Sequence, residues 1–349
     1  MQREAAIPNH PIRHEPIPSQ TWFAPQRNLF IVLLASLALF QPASARTLQV
    51  GPGQLYMLPS QAAKAARDGD VIEIEAGDYP ADAALWKANN LTIRGVNGMA
   101  HLRSQGKTVQ GKAIWVIKGN DTTIEHIGFH DARASQKNGA GIRLEGRNLT
   151  VRNALFRDNE NGILTGRGRA SEVLVENSEF DHNGHGDGQS HNIYVGKIRK
   201  FTLRDSVSRR ARVGHQVKSR AAENIITNNT LADEATGRSS YLIDLPAGGR
   251  STISGNTLQQ GALAENFTMV AFGAEKELHE EHALQIENNT FINDRRAGCR
   301  LLSVKKSIEP AAVVRGNRFV GCTRIEGPAV STDNKVQARS ALPPTSDSE

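Results

Sequence analysis

The chain has 349 residues, of which 38% are apolar and only 22% charged, so it is neither a disordered polyelectrolyte nor too small to build one large core. Its 42 Lys and Arg against 36 Asp and Glu leave a formal charge of +6, too dilute over this length to mark a nucleic-acid binder. So mild an excess favours acidic partners only by weak field steering.

First along the chain comes an apolar run from Leu29 to Phe40, preceded by Arg27 and followed by Pro42-Ala43-Ser44-Ala45. A positive flank, an apolar run of 12 residues and a small-residue exit match a secretory signal cleaved after Ala45. The run is shorter than the roughly 20 residues that a membrane helix needs, so no membrane span is expected after cleavage. Residues 1–45 are therefore read as signal peptide and leader, with a periplasmic or extracellular address. Beyond it, Ser60–Arg67 (S-Q-A-A-K-A-A-R) is the one segment with helical character, with Ser60 after Pro59 as its cap.

From Ile93 onward a short phrase recurs: a β-branched or leucyl residue, polar residues usually including Asn, then Phe or Leu. Its clear copies start at Ile124, Val151, Val175, Ile226, Ile253, Ile286 and Val314, with degenerate copies at Ile93 and Leu203. The intervals are 31, 27, 24, 28, 23, 27, 33 and 28 residues, as in a β-solenoid with loops of variable length. Within one repeat, G-I-R-L-E-G from Gly141 alternates as a strand does, N-L-T-V-R from Asn148 supplies a second, and Leu155-Phe156 begins a third. Asn153 sits at the corner between the last two, where αL geometry is tolerated.

Stacking such coils predicts one aliphatic ladder through Val151, Val175, Leu203, Ile226, Ile253, Ile286 and Val314. A second should run through Phe156, Phe180, Leu231, Leu258, Phe291 and Phe319. The recurrent Asn residues (Asn153, Asn177, Asn228, Asn229, Asn256, Asn288, Asn289, Asn317) are assigned to architecture, as stacked hydrogen-bonding side chains.

Cys299 and Cys322 lie 23 residues apart, about one coil. Coils about 4.8 Å apart would permit a disulfide, and export would favour it; two buried free thiols are the alternative. Two cysteines make no zinc site. Residues 46–332 are read as a single, monomeric domain and residues 333–349, rich in Ser, Pro and Asp, as a disordered tail.

The segment L-P-S-Q-A-A-K-A-A-R-D-G-D-V-I-E-I-E-A-G-D-Y from Leu58 to Tyr79 is similar to the opening of right-handed parallel β-helices of the pectate-lyase-like superfamily. Together with the repeats, it makes about residues 47 to 330 resemble that family. The resemblance implies an all-β, right-handed parallel β-helix of roughly nine to ten coils with a short N-terminal capping helix. It also implies chemistry among lyases, epimerases and hydrolases of polysaccharides, or a non-enzyme.

In that family the first strand of each coil builds a sheet whose outer face carries substrate. Aligning these strands here by their inward aliphatics puts Ile142, Ile163, Ile193, Val217, Ile243 and Met269 in one column. Arg143, Leu164, Tyr194, Lys218, Asp244 and Val270 then stack outward. Two residues further on follow Glu145, Gly166, Gly196, Arg220, Pro246 and Phe272. His191 and His215 share a register just before their strands.

A patch of Tyr194, Lys218, Arg220 and Asp244 with His191 and His215 suits removal of a proton α to a carboxylate. That reaction needs the carboxylate neutralised and a base held against the carbon. Arg220 or His191 would meet the substrate carboxylate, and His215 or Tyr194 would accept the proton, because Asp244 beside Lys218 disfavours an uncharged amine. Tyr194 would also serve to protonate the leaving oxygen. The expected function is β-elimination or C5 epimerisation of a uronate-containing polysaccharide. Its rivals are a non-catalytic polysaccharide-binding or envelope-assembly solenoid, and a glycoside hydrolase. Hydrolysis is less favoured because no adjacent Asp pair occurs in the chain.

No cofactor is firmly implied. Ca2+ stays open, but the carboxylates Glu145, Asp187 and Asp244 fall on different coils. The loop Asp181–His191 holds three His and two Asp, making His185 and Asp187 weak metal candidates. Arg209, Arg210 and Arg212 are either a polymer grip or a solvated basic loop.

Overall fold

The computed structural model describes residues 45–338; the secretory signal read over Leu29–Phe40 lies outside them. Ten parallel strands, from Ala84–Trp86 to Ile325–Glu326, follow one another in strict chain order across one sheet. The remaining strands of the coils join in a second, 21-stranded sheet. The whole is an all-β solenoid of about ten turns, with a single helix among the described residues. Among the described residues no helix is long and apolar enough to cross a membrane.

The core follows the repeat. Ile93, Ile124, Val151, Val175, Leu203, Ile226, Ile253, Ile286 and Val314 pair rung to rung, all essentially buried. In the second ladder Phe129, Phe156 and Phe180 stack with centroids 5.0 and 4.6 Å apart. The next rung holds Ser208, followed by Leu231, Leu258, Phe291 and Phe319. The polar Ser208 in an apolar column has a reason: its hydroxyl receives Asn192 Nδ2 at 3.0 Å, tying into a spine of buried amides.

The recurrent Asn residues divide into two columns. Asn153, Asn177, Asn228 and Asn288 occupy corners at φ between 47° and 58°, where an amide side chain tolerates αL geometry better than most. The inward neighbours Asn229, Asn256, Asn289 and Asn317 form a buried ladder, each Nδ2 donating to the next Oδ1 at 2.9–3.0 Å. A second amide spine lies beneath the strands that carry the site. Asn159 donates to Asn183 (3.0 Å), Asn183 to Asn192 (2.9 Å), Asn192 to Gln216 (2.7 Å) and Gln216 to Asp233 (3.1 Å). Asn192 and Gln216 directly follow His191 and His215, so this inward spine fixes where those two imidazoles leave the coil.

Three expectations need correction. The helix spans Pro59–Ala65 with Leu58, not Ser60, at the N-cap; Gln61 accepts the Leu58 N–H at 3.2 Å and Asp82 takes the Ser60 N–H at 3.0 Å. The solenoid runs past residue 332: Asp333 forms another αL corner, Asn334 extends the Asn ladder, and Lys335–Gln337 pairs with Arg318–Val320. Ile243 pairs with Val270 rather than Met269. Every residue of Thr268–Phe272 is buried, so alternation could not reveal which side faces out. Of the two alternatives for Cys299 and Cys322, the structure has the disulfide, with Cα atoms 5.9 Å apart.

Candidate functional site

Arg143, Leu164, Tyr194, Lys218 and Asp244 pair on successive rungs, the register read from the sequence. Above them opens a groove of ≈ 770 Å³. Gln189 and His191 border it where the strands begin. On the other side stand Arg220 and Lys197 with Glu275, Lys276 and Glu277. Six cationic side chains line it against two carboxylates, Glu275 and Glu277. Glu277 is held by Lys197 at 2.7 Å and Glu275 by Arg220, so the free charge facing the groove is positive.

The two histidines form a column under and beside Tyr194. Their rings stack at 4.5 Å and 10°, and His191 stacks on Tyr194 at 5.4 Å and 6°. The main-chain N–H of His215 donates to His191 Nδ1 at 3.0 Å, and that of Tyr241 donates to His215 Nδ1 at 3.2 Å. A backbone N–H can only donate, so both Nδ1 atoms present lone pairs and both neutral rings carry their proton on Nε2. Burial, helped by the nearby Lys218 and Arg220 charges, pushes His215 down to about 3; burial and the neighbouring His215, Lys218 and Arg220 push His191 well below the ordinary imidazole value. His215 directs Nε2 at Asp244 Oδ2, 3.4 Å away. With Nδ1 already accepting the Tyr241 N–H and the proton on Nε2 beside Asp244, the ring has no free lone pair with which to take a proton from the groove. His191 lines the groove and keeps its Nε2–H for it.

Lys218 Nζ lies 3.2 Å from Asp244 Oδ2. The pair is unequal: the ammonium side chain is 17% exposed and the carboxylate 5%. Burial pushes the Asp244 carboxyl up, against the pull of Lys218 and Arg220. Asp244 is covered although it stands on the outer face, because the 273–282 loop folds back along the chain after it. Gly273, Glu275 and His279 N–H groups donate to the carbonyls of Leu245, Pro246 and Ala247 at 2.9–3.0 Å. The loop turns at Gly273, φ +75°, where a Cβ would meet Ile308 at 2.9 Å.

That loop also brings in the residue which sequence reasoning missed. Glu275 binds the Nε and Nη2 edge of Arg220, with Nε 2.9 Å from Oε2, while Arg220 Nη1 donates to Tyr194 Oη at 2.6 Å. Arg220 was expected to meet the substrate carboxylate, but both of its edges are occupied. Arg220 holds the Glu275 carboxyl below the usual carboxylate range. The 33-residue interval between Ile253 and Ile286, the longest in the chain, was the sole signal of this insertion.

Of the six residues proposed from sequence, His191, Tyr194, Lys218 and Arg220 line the groove, while His215 and Asp244 lie under it. The weak metal candidates are not gathered: Asp187 Oδ1 accepts the N–H of Gln189 in its own turn (3.0 Å), and His185 Nδ1 faces Glu160 at 3.3 Å. No cluster of three or more metal-ligating side chains occurs among the described residues. Arg209 and Arg210 are drawn into ion pairs with Glu179, Asp181 and Glu234, away from the role of polymer grip.

Comparison with known proteins bears on the fold. Residues 81–258 match the family described as a right handed beta helix region. The structure superposes on a pectate lyase, Pel9A, with TM-score 0.52 and 13% identity over 84% of this chain and 80% of that one. A PL6-family alginate lyase, AlyGC, gives TM-score 0.45 and 16% identity over 84% of this chain and 40% of that one. DFA-IIIase from Arthrobacter chlorophenolicus A6 gives TM-score 0.40 and 16% identity over 80% of this chain and 78% of that one. No curated protein sequence matches this chain.

Proposed function

The chain belongs to the right-handed β-helix family, and on that premise we propose that it acts on a uronate-containing polysaccharide by removing the proton α to a sugar carboxylate. The observation that carries this reading is the pairing of Tyr194 with Arg220 at 2.6 Å inside a cationic groove. His215 and His191 present no basic nitrogen to the groove, and Lys218 is engaged with Asp244, which leaves the Tyr194 oxygen as the proton-transfer group. A guanidinium donating to that oxygen supports its negative charge. Lys218, with free donors toward the groove, takes the substrate carboxylate and spreads the charge that develops on it as the carbon loses its proton. Arg143, three rungs from Lys218, offers a second cation to a neighbouring sugar.

In β-elimination the C–H electron pair becomes the new C=C bond as the glycosidic C–O bond breaks. The leaving oxygen then takes a proton, which Tyr194 can return from the same face. In C5 epimerisation the same carbanion is instead reprotonated from the opposite face. Hydrolysis is the weaker reading, since each carboxylate at the site is already held by a cation: Asp244 by Lys218, Glu275 by Arg220 and Glu277 by Lys197. The leader and the Cys299–Cys322 disulfide both support export to an oxidising compartment.

The test is incubation with pectate, alginate and glycosaminoglycans, followed by ultraviolet absorbance of an unsaturated uronate and by NMR for inverted C5 centres. Either product supports the reading. Binding without any change in the polymer would replace it by the carbohydrate-binding solenoid.

A further inference from the structure

Arg220 is held at more points than an ion pair requires. Its Nε lies 2.9 and 3.1 Å from the two Glu275 carboxylate oxygens, and its Nη2 also reaches Oε1. Its Nη1 reaches Tyr194 Oη at 2.6 Å, and its Cζ lies 5.2 Å from the Tyr194 ring centroid. Its main-chain carbonyl faces His279 Nε2 at 3.0 Å, from the same loop that carries Glu275. The loop is anchored in turn, since Lys305 Nζ donates to the Glu275 carbonyl at 2.8 Å.

A guanidinium is a planar fork, so a carboxylate that fixes one edge also fixes the direction of the remaining nitrogen. Without that hold, an arginine side chain beside an open groove keeps its rotamer freedom and follows whatever anion enters. A substrate of the proposed class is such an anion. Its carboxylate would compete with the Tyr194 oxygen for Arg220 and draw the cation off the atom where it is needed.

We propose that Glu275 is a positioning residue, which keeps Arg220 on the Tyr194 oxygen and keeps that guanidinium from capture by the substrate carboxylate. The inference rests on the reading of Tyr194 as the proton-transfer group. It separates two tasks among the groove's cations: Arg220 serves the phenol, while Lys218 and Arg143 remain for the polymer.

The experiment compares wild type, Glu275→Gln and Glu275→Asp on the polymer that the wild type turns over. Displacing a group by about 1 Å costs on the order of a hundredfold in rate. Glu275→Gln should therefore lose about a hundredfold in kcat with little change in KM, and Glu275→Asp should recover much of that loss. An unchanged kcat overturns the proposal. So does a lower KM, which would make Glu275 a competitor of the substrate, or a raised KM alone, which would make it a binding residue. A second readout is independent of turnover: in 15N-arginine-labelled protein, the Arg220 Nε–H signal should be protected from solvent exchange in wild type and in Tyr194→Phe, and lose that protection in Glu275→Gln. Protection that survives in Glu275→Gln overturns the proposal. A wild type inert toward every uronate polymer would sink the proposed function, while the Arg220 signal would still decide the positioning.

Discussion

Acid should loosen the floor of the groove, and His215 sets the size of the effect. Burial, together with Lys218 and Arg220, takes its pKa from 6.5 down to about 3. The folded site thus binds fewer protons than the unfolded chain between those values. Its contribution to stability is complete above the unfolded value and is lost as pH falls toward the folded one. The full shift corresponds to about 5 kcal/mol, and the loss between neutrality and about pH 4.5 is about 3 kcal/mol. His191 acts in the same direction, while Asp244, whose carboxyl burial raises, gives some of this back as it takes up a proton. The assay is urea unfolding at both pH values for wild type and His215→Asn, whose Oδ1 can still accept the Tyr241 N–H but cannot titrate. The variant should start less stable at neutrality yet lose about 3 kcal/mol less than wild type on acidification. Parallel losses in the two proteins would refute the assignment of a buried neutral imidazole.

Three further outcomes follow from the same geometry. Lys218→Ala should lower kcat/KM by on the order of a hundredfold or more, as loss of a charge that meets the developing carbanion does, and should also lower the unfolding midpoint in urea because it leaves the buried Asp244 carboxyl without its cation. Asn256→Ala removes donations to Ile226 O and Asn289 Oδ1 and acceptance from Asn229, and should cost about 3 kcal/mol in urea unfolding; Asn153→Ala, which only strains an αL corner, should cost about 1 kcal/mol. Replacing Cys299 and Cys322 together by Ser opens a loop of 23 residues and should cost about 3 kcal/mol, seen as an earlier unfolding transition that reducing agent does not shift further.

Most of the solenoid was legible because its repeat is a packing rule. An aliphatic residue that recurs once per coil must stack on its equivalents, and Val151, Val175 and Leu203 do so in the order read from the chain. The rungs of Tyr194, Lys218 and Asp244 followed from the same logic, since each strand shows inward–outward alternation. Reading failed where alternation fails. Thr268–Phe272 is buried on both faces, which hid its register by one residue. Side-chain roles were less legible than positions. Only the backbone donors of His215 and Tyr241 reveal that the two imidazoles are neutral with Nδ1 occupied, and no residue pattern carries that information. Glu275 sits 55 residues from Arg220 on an irregular loop, where neither periodicity nor spacing links the two.

The most direct measurement follows the C5 hydrogen itself. With a uronate polymer deuterated at C5, release of that label to solvent reports proton removal whether elimination or epimerisation follows. Wild type should release it at the rate of turnover, and Tyr194→Phe should release it on the order of 10² to 10⁴ times more slowly while still binding the polymer. Undiminished release in Tyr194→Phe would contradict the account.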